Sequence, residues 1–114
     1  MWKFRGVTTP FEHALEAGDL DQLRASPKAD LHVHGVGGGS RAFLRERTGR
    51  DIAPSDRVFR SMAEMDAWTQ DNIADLFRGP TGRALAFEAT FTQAQSDGVT
   101  RIDLGEDVWG VTLH

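Results

Sequence analysis

Two short segments in which apolar and polar residues alternate decide what this chain can fold into. In the first, residues 29–34, the apolar positions share one face of a predicted strand: Ala29, Leu31 and Val33. The polar positions share the other face: Asp30, His32 and His34. Residues 99–104 alternate in the same way, and helical patterns lie between the two segments. Because a helical connection usually joins parallel strands, the sequence predicts an α/β fold with a right-handed crossover.

Helices are predicted in four places. Residues 10–24 carry two short apolar stripes broken at Gly18, and residues 40–47 form a short helix capped by Ser40. A loop follows to about residue 56, and residues 61–77 form a longer helix that the Arg78–Pro80 segment stops. The last helix has its apolar stripe at Ala84, Phe87, Phe91 and Ala94. We divide the chain into an N-terminal helical segment, 1–25, and a unit with both strands, 26–114.

Charge and composition narrow the expected partners. The chain has 13 basic and 17 acidic residues and a formal charge of −4, so we expect neither nucleic acid nor a membrane surface as a partner. It has no cysteine, which fits a reducing compartment and leaves histidine and carboxylate as the metal ligands. No apolar run is long enough for a membrane helix or a signal peptide. We therefore expect a cytoplasmic globular protein.

His32 and His34 are the strongest candidates for chemistry. Side chains two residues apart on a strand point the same way, and their Cα atoms lie about 6.6 Å apart, so two imidazoles can reach one ion. Zinc takes histidine nitrogens at about 2.0 to 2.1 Å. Asp30 shares their face and is predicted to orient one ring as a hydrogen-bond acceptor. The pair precedes a glycine turn at the end of the first strand, where parallel α/β barrels place their active sites.

A run of glycines follows the pair. The segment GVGGGS, residues 35–40, approximates the G-x-G-x-x-G pattern with Ser40 at its last position, so a dinucleotide-binding turn is one reading. The composition of the strand argues against this reading. The first strand of a dinucleotide-binding fold is buried on both faces and is normally continuously apolar, whereas this strand carries Asp30, His32 and His34. Otherwise the glycines permit a tight turn or leave room for a ligand beside the metal. If the glycines leave room for a ligand, Gly35 and Gly37 are the predicted substrate-binding residues.

Three further residues are weaker candidates. Asp103 lies on the second predicted strand, where it could face a barrel interior or cap a loop. Trp109, in the segment GEDVWG, could form the wall of a pocket. His13 lies on a predicted helix and is more simply a surface residue, and His114 receives no role.

The segment SPKADLHVHG resembles the first barrel strand of the adenosine deaminase family, in the amidohydrolase superfamily, whose pattern is PK-x-E-L-H-x-H. Five positions fit the pattern: Pro27, Lys28, Leu31, His32 and His34. Asp30 replaces the usual glutamate. RAFLRERTG resembles the short helix that follows in that family, and DGVTRIDL resembles its second strand. The resemblance covers about residues 20–110 and is specific at the first strand.

The resemblance implies the opening units of a (β/α)8 barrel, incomplete here, with a helical insertion between strands 1 and 2. It implies a zinc-dependent hydrolytic deaminase of purine metabolism that releases ammonia from an aminopurine nucleoside. His32 and His34 would be two ligands of the zinc or another divalent metal. The family usually has an aspartate that holds the sugar where this chain has Val36, and an arginine where it has Gly105, whereas Asp103 matches. Another aminopurine or a different amidohydrolase substrate therefore stays open.

The length of the chain limits this reading. A complete barrel takes about 250 residues, so 114 residues hold only its opening units. The family's other ligands and its acid and base come from later strands, so we assign no catalytic residue and expect this chain to be inactive alone. The second hypothesis for the function of this chain is a non-catalytic remnant or association module of the same fold, which could self-associate through exposed strand edges. The third hypothesis is a dinucleotide-binding module.

Overall fold

The computed structural model describes residues 9–106, which form a mixed α/β fold with five α-helices and a two-stranded parallel sheet. The helices are α1 (Pro10–Ala17), α2 (Leu20–Ala25), α3 (Arg41–Thr48), α4 (Met62–Asn72) and α5 (Gly79–Ser96). A 3-10 helix spans Ala74–Phe77, and the strands are β1 (Lys28–His34) and β2 (Val99–Gly105). The predicted α/β class and the parallel pairing of the two strands are confirmed. None of the helices in this part of the chain has the length and apolar character needed to cross a membrane.

Local signals fix the ends of the first three helices. Thr9 and Glu12 form a reciprocal capping box at the start of α1, and Gly18 ends that helix with φ of 67°. Asp19 caps α2, and Ser40 accepts a hydrogen bond from the backbone N–H of Phe43 at the start of α3. Each cap satisfies a backbone N–H that has no partner within its own helix. The predicted break at Gly18 and the cap at Ser40 are both confirmed.

The core lies where α3, the 3-10 helix and α5 meet. Its buried apolar residues are Leu44, Ile52, Ile73, Phe77, Ala86 and Ala89. The side of α5 that faces this core is made of small residues, Gly82, Ala86, Ala89 and Thr90. The predicted stripe of α5 is wrong at two positions, because Ala84 is exposed and Phe91 keeps 48% of its surface in water. Small residues let the neighbouring backbone approach α5 closely, and of the two aromatic residues in the predicted stripe Phe87 is half-buried while Phe91 is exposed.

The predicted helix over residues 61–77 is interrupted. It ends at Asn72, and Ile73 has φ of −133° and ψ of −21° before the 3-10 helix begins. This break brings both Ile73 and Phe77 into the core, whereas Met62 on α4 is 73% exposed. The apolar residues of this segment therefore do not form one buried stripe along a single helix. The buried ones, Ile73 and Phe77, lie after the end of α4.

The sheet contains an irregularity that the alternation did not predict. Asp30 pairs with Ile102 and Val33 with Leu104, so β1 uses one more residue than β2 over this stretch. An extra residue of this kind is a bulge, which bends the strand and interrupts its alternation. The prediction that Leu31 lies on a buried apolar face is wrong, since this side chain is 66% exposed. Val33, Ile102 and Leu104 are half-buried, as the alternation predicts.

A bidentate ion pair joins Arg50, in the segment after α3, to Asp75 in the 3-10 helix. The Arg50 guanidinium donates to both carboxylate oxygens of Asp75, with distances of 2.7 and 2.6 Å. Both side chains are largely exposed, so solvent screens their attraction. The hydrogen bonds from Arg50 hold the pKa of the Asp75 carboxyl below its usual value, and Asp75 in turn raises the pKa of Arg50.

We expect Asp75→Asn to lower stability at neutral pH by a small amount. Since the folded-state pKa of Asp75 is depressed, the stabilising effect of the pair is fully present above the ordinary carboxyl pKa of 3.8. It is lost as the pH falls through the lower folded-state pKa. Urea denaturation at neutral and acidic pH should show a difference between wild type and variant that disappears in acid.

The matched control is Asp71→Asn on α4, since Asp71 makes no ion pair with residues 9–106. This control removes the same charge without removing an ion pair within residues 9–106, so it should lower stability at neutral pH by less than Asp75→Asn does. Equal effects of the two substitutions at every pH would contradict a role for the Arg50–Asp75 pair.

Candidate metal centre

The rings of His32 and His34 meet at the carboxyl end of β1. Their Nε2 atoms are 3.2 Å apart, and the ring centroids are 5.0 Å apart with the planes at 81°. Both side chains are exposed to solvent. The two imidazoles therefore converge on one point, as the spacing on a strand predicts, in spite of the bulge beside them.

The separation of the two nitrogens fits a shared metal ion. Two nitrogens bound to zinc at about 2.0 to 2.1 Å in tetrahedral geometry lie about 3.3 to 3.4 Å apart. The observed 3.2 Å is close to that value. The same distance also suits a direct hydrogen bond in which one Nε2–H donates to the other nitrogen. In the hydrogen bond one Nε2 carries the proton, whereas a shared cation requires an unprotonated nitrogen on each ring, so the distance is compatible with either arrangement.

Asp30 acts on the backbone beside the pair. Its Oδ1 accepts a hydrogen bond from the backbone N–H of His32 at 3.2 Å. This contact spans the bulge and so steadies the strand from which both rings project. Asp30 therefore contacts the backbone of His32. The predicted hydrogen bond from an imidazole ring to Asp30 stays a prediction.

The structure brings two candidate metal ligands together at the end of β1. Residues 9–106 contain no group of three or more His, Cys, Asp or Glu side chains arranged to hold one metal ion. Zinc sites usually have four ligands, and catalytic ones have three from the protein. Within residues 9–106, His32 and His34 therefore supply two of the ligands that such a site would need.

β2 and the residue directly after it carry further charged groups. Asp103 accepts hydrogen bonds from Arg101 on the same strand, at 3.3 and 3.4 Å. Glu106, directly after β2, forms an ion pair with Arg83 of α5. Sequence reasoning missed Glu106, although an acid directly after a predicted parallel strand was the available signal. Trp109 and His114 lie outside the described residues.

The glycine turn after β1 is packed against α5. The backbone N–H of Gly35 donates to Gly105 at 3.0 Å, and the Thr90 hydroxyl donates to the Gly35 carbonyl at 3.2 Å. A Cβ on Gly39 would lie 2.5 Å from the Cβ of Ala89, closer than real atoms come. These glycines therefore let the turn lie directly on the helix.

These contacts bear on the other readings of the glycines. A phosphate-binding turn needs free backbone N–H groups, but those of Gly35 and Ser40 already donate to carbonyls within the chain. These two N–H groups are therefore occupied within the chain, and the dinucleotide-binding alternative stays a prediction. Gly35 is buried and Gly37 is exposed, and their predicted role in substrate binding stays a prediction.

Surface grooves lie elsewhere on the molecule. Two open grooves beside α4 have volumes of about 470 and 380 Å³ and share Asp71 and Asn72 in their walls. Neither groove is lined by His32 or His34. The histidine pair is on an exposed surface outside both grooves.

Comparisons of this chain with known protein families, with curated proteins and with solved structures found no match.

Proposed function

We propose that this chain supplies the opening β/α units of a (β/α)8 metal-dependent hydrolase that resembles adenosine deaminase. The observation that carries the proposal is the 3.2 Å separation of the Nε2 atoms of His32 and His34 at the end of a parallel strand. The pattern around them, SPKADLHVHG, supplies the resemblance. In this proposal the two histidines hold zinc or another divalent metal.

A zinc ion held by histidines lowers the pKa of a coordinated water towards neutrality, which supplies the nucleophile that hydrolytic deamination requires. In this chain His32 and His34 would hold the ion. Asp30 steadies the backbone of His32, and Gly35 ties the end of β1 to the end of β2 through Gly105. Both strand ends are thereby held at one edge of the sheet, where barrel enzymes assemble their active sites.

The proposed substrate is an aminopurine, and the sugar contacts of adenosine deaminases are not reproduced. Val36 stands at the position of the family's sugar-binding aspartate and packs against the apolar core. Gly105 replaces the family's arginine and pairs with His34 in the sheet. We therefore favour a free aminopurine or another small amidohydrolase substrate over adenosine. The proposed location of the enzyme is the cytoplasm.

We expect this chain alone to release no ammonia from adenosine or adenine, with or without added zinc. Two histidines leave half of the metal's coordination unfilled, and residues 9–106 place no further ligand group beside them. A coupled ammonia assay measures the outcome. Zinc-dependent turnover that His32→Ala abolishes would contradict the view that later strands supply essential groups.

The proposal that this is part of a larger enzyme is tested in the coding DNA. We expect the reading frame beyond the codon of His114 to continue and to encode at least one further histidine and a late aspartate. A stop codon directly after His114 would leave the metal pair without the rest of a deaminase.

A second candidate function is an association module, favoured by the exposure of apolar side chains. Leu31 on β1 is 66% exposed, and Leu15 and Leu20 on the first two helices are 62% and 60% exposed. Exposed apolar surface of this kind often marks contact with another protein. The two candidates differ in their need for metal, since only the enzyme part requires the histidine pair.

A further inference from the structure

Thr90 is the one buried polar side chain within residues 9–106, with 1% of its surface exposed. It lies on the face of α5 that otherwise carries glycine and alanine, at Gly82, Ala86 and Ala89. Burying a hydroxyl is unfavourable unless it is hydrogen-bonded, because the group loses its contacts with water. The partner of this hydroxyl therefore accounts for its place among small apolar residues.

The Thr90 hydroxyl donates to a distant segment and not to its own helix. A threonine on a helix commonly donates to the backbone carbonyl four residues before it. Three other helical threonines of this chain do so at 2.7 to 2.9 Å: Thr48 to Leu44, Thr69 to Met65 and Thr92 to Glu88. Thr90 donates instead to the carbonyl of Gly35 at 3.2 Å, 55 residues away in the sequence. The bond therefore ties α5 to the residue directly after His34.

Gly35 is held by its neighbours on several sides. Its backbone N–H donates to the carbonyl of Gly105 at 3.0 Å, and its own carbonyl accepts from Thr90. A Cβ on Gly35 would lie 2.8 Å from the Phe87 ring and 3.0 Å from the Glu106 carboxylate, so a larger residue would displace them. Because Gly35 is joined directly to His34, these contacts fix the direction in which the His34 imidazole leaves the strand.

We infer that Thr90 is a positioning residue for metal binding, whose hydroxyl holds the end of β1 through Gly35 and so orients His34 towards an ion shared with His32. The inference rests on the metal-binding part of the proposed function and deepens it, since it adds a residue of α5 outside the strand motif. Removing a group that holds a metal ligand in place typically lowers metal affinity by roughly 10- to 100-fold. Because Thr90 acts through an intervening residue, we expect a loss at the lower end, about tenfold.

The test compares two replacements of Thr90 in the full 114-residue chain. Thr90→Val keeps the shape of the side chain and removes the hydroxyl, so it should weaken zinc binding about tenfold in isothermal titration. Thr90→Ser keeps the hydroxyl and should bind zinc nearly as tightly as wild type. The matched control is Thr92→Val on the same helix, because the exposed Thr92 donates within its own helix, and this variant should bind zinc as wild type does. Urea denaturation establishes that each variant is folded during the titration.

A double replacement separates positioning from a general loss of stability. If Thr90 acts through His34, Thr90→Val should cause no further loss of zinc affinity in a chain that already carries His34→Ala. A loss of the same size with and without His34 would refute the inference. Equal zinc binding by wild type and Thr90→Val would also refute it, as would equal losses in Thr90→Val and Thr90→Ser or in Thr90→Val and Thr92→Val.

Wild type provides a further measurement that needs no folded variant. Coupling between two sites is reciprocal, so zinc should slow the hydrogen exchange of the Gly35 backbone N–H if the bonds around Gly35 support the ligand. Exchange that zinc leaves unchanged would overturn the inference. Failure of wild type to bind zinc would refute the metal assignment of the proposed function as well, whereas zinc binding that Thr90→Val does not alter would refute only the role of Thr90.

Discussion

Replacing His32 by alanine should reduce the affinity of the chain for zinc by tenfold or more. The two Nε2 atoms are 3.2 Å apart, which is close to the separation expected for two nitrogens bound to one zinc ion. A single remaining imidazole provides one bond instead of two, and each factor of ten in affinity corresponds to about 1.4 kcal/mol. Isothermal titration with zinc measures this change directly. His34→Ala should have an equal effect.

The control for this experiment is His13→Ala, which removes an exposed histidine from α1 and leaves the pair intact. It should bind zinc as tightly as wild type. If His32→Ala and His13→Ala lowered the affinity equally, the zinc would be binding to scattered surface histidines, and the strand pair would lose its assignment.

Gly98→Ala should be among the most destabilising single substitutions in this chain, costing about 3 to 4 kcal/mol of unfolding free energy. Gly98 joins α5 to β2 with φ of +75°, a conformation that other residues rarely adopt. An added Cβ would lie 1.7 Å from the backbone carbonyl oxygen of Arg24. Because that oxygen belongs to the main chain, α2 and the start of β1 would have to move away.

Gly49→Ala separates the two contributions to this cost. Gly49 ends α3 with a similar φ of +73°, but a Cβ there meets nothing within 4 Å. We expect it to cost about 1 kcal/mol, the strain of the left-handed backbone alone. Urea denaturation of both variants measures the difference. Equal losses would mean that the contact between Gly98 and Arg24 does not constrain the fold.

Features set by neighbours in the sequence were predictable. The caps at Ser40 and Gly18 are recognised from single residues next to helical patterns, and the structure has them in those places. The two strands and their parallel pairing follow from alternation and a helical connection. The convergence of His32 and His34 needs only the repeat of two residues along a strand.

Features set by contacts between distant segments were not predictable. The exposure of Phe91 and the burial of Ala89 depend on how closely the glycine turn approaches α5. The bulge that exposes Leu31 depends on the register between β1 and β2, which the alternation of one strand does not contain. The Arg83–Glu106 pair joins residues that are close only after the sheet and α5 have packed.

X-ray absorption at the zinc edge of the loaded chain tests most directly whether the two imidazoles at the end of β1 bind a common cation. The account predicts histidine nitrogens at about 2.0 to 2.1 Å from the metal, with this signal lost when His32 and His34 are both replaced by alanine. A spectrum with oxygen ligands alone, or an imidazole signal that survives the double replacement, would contradict it.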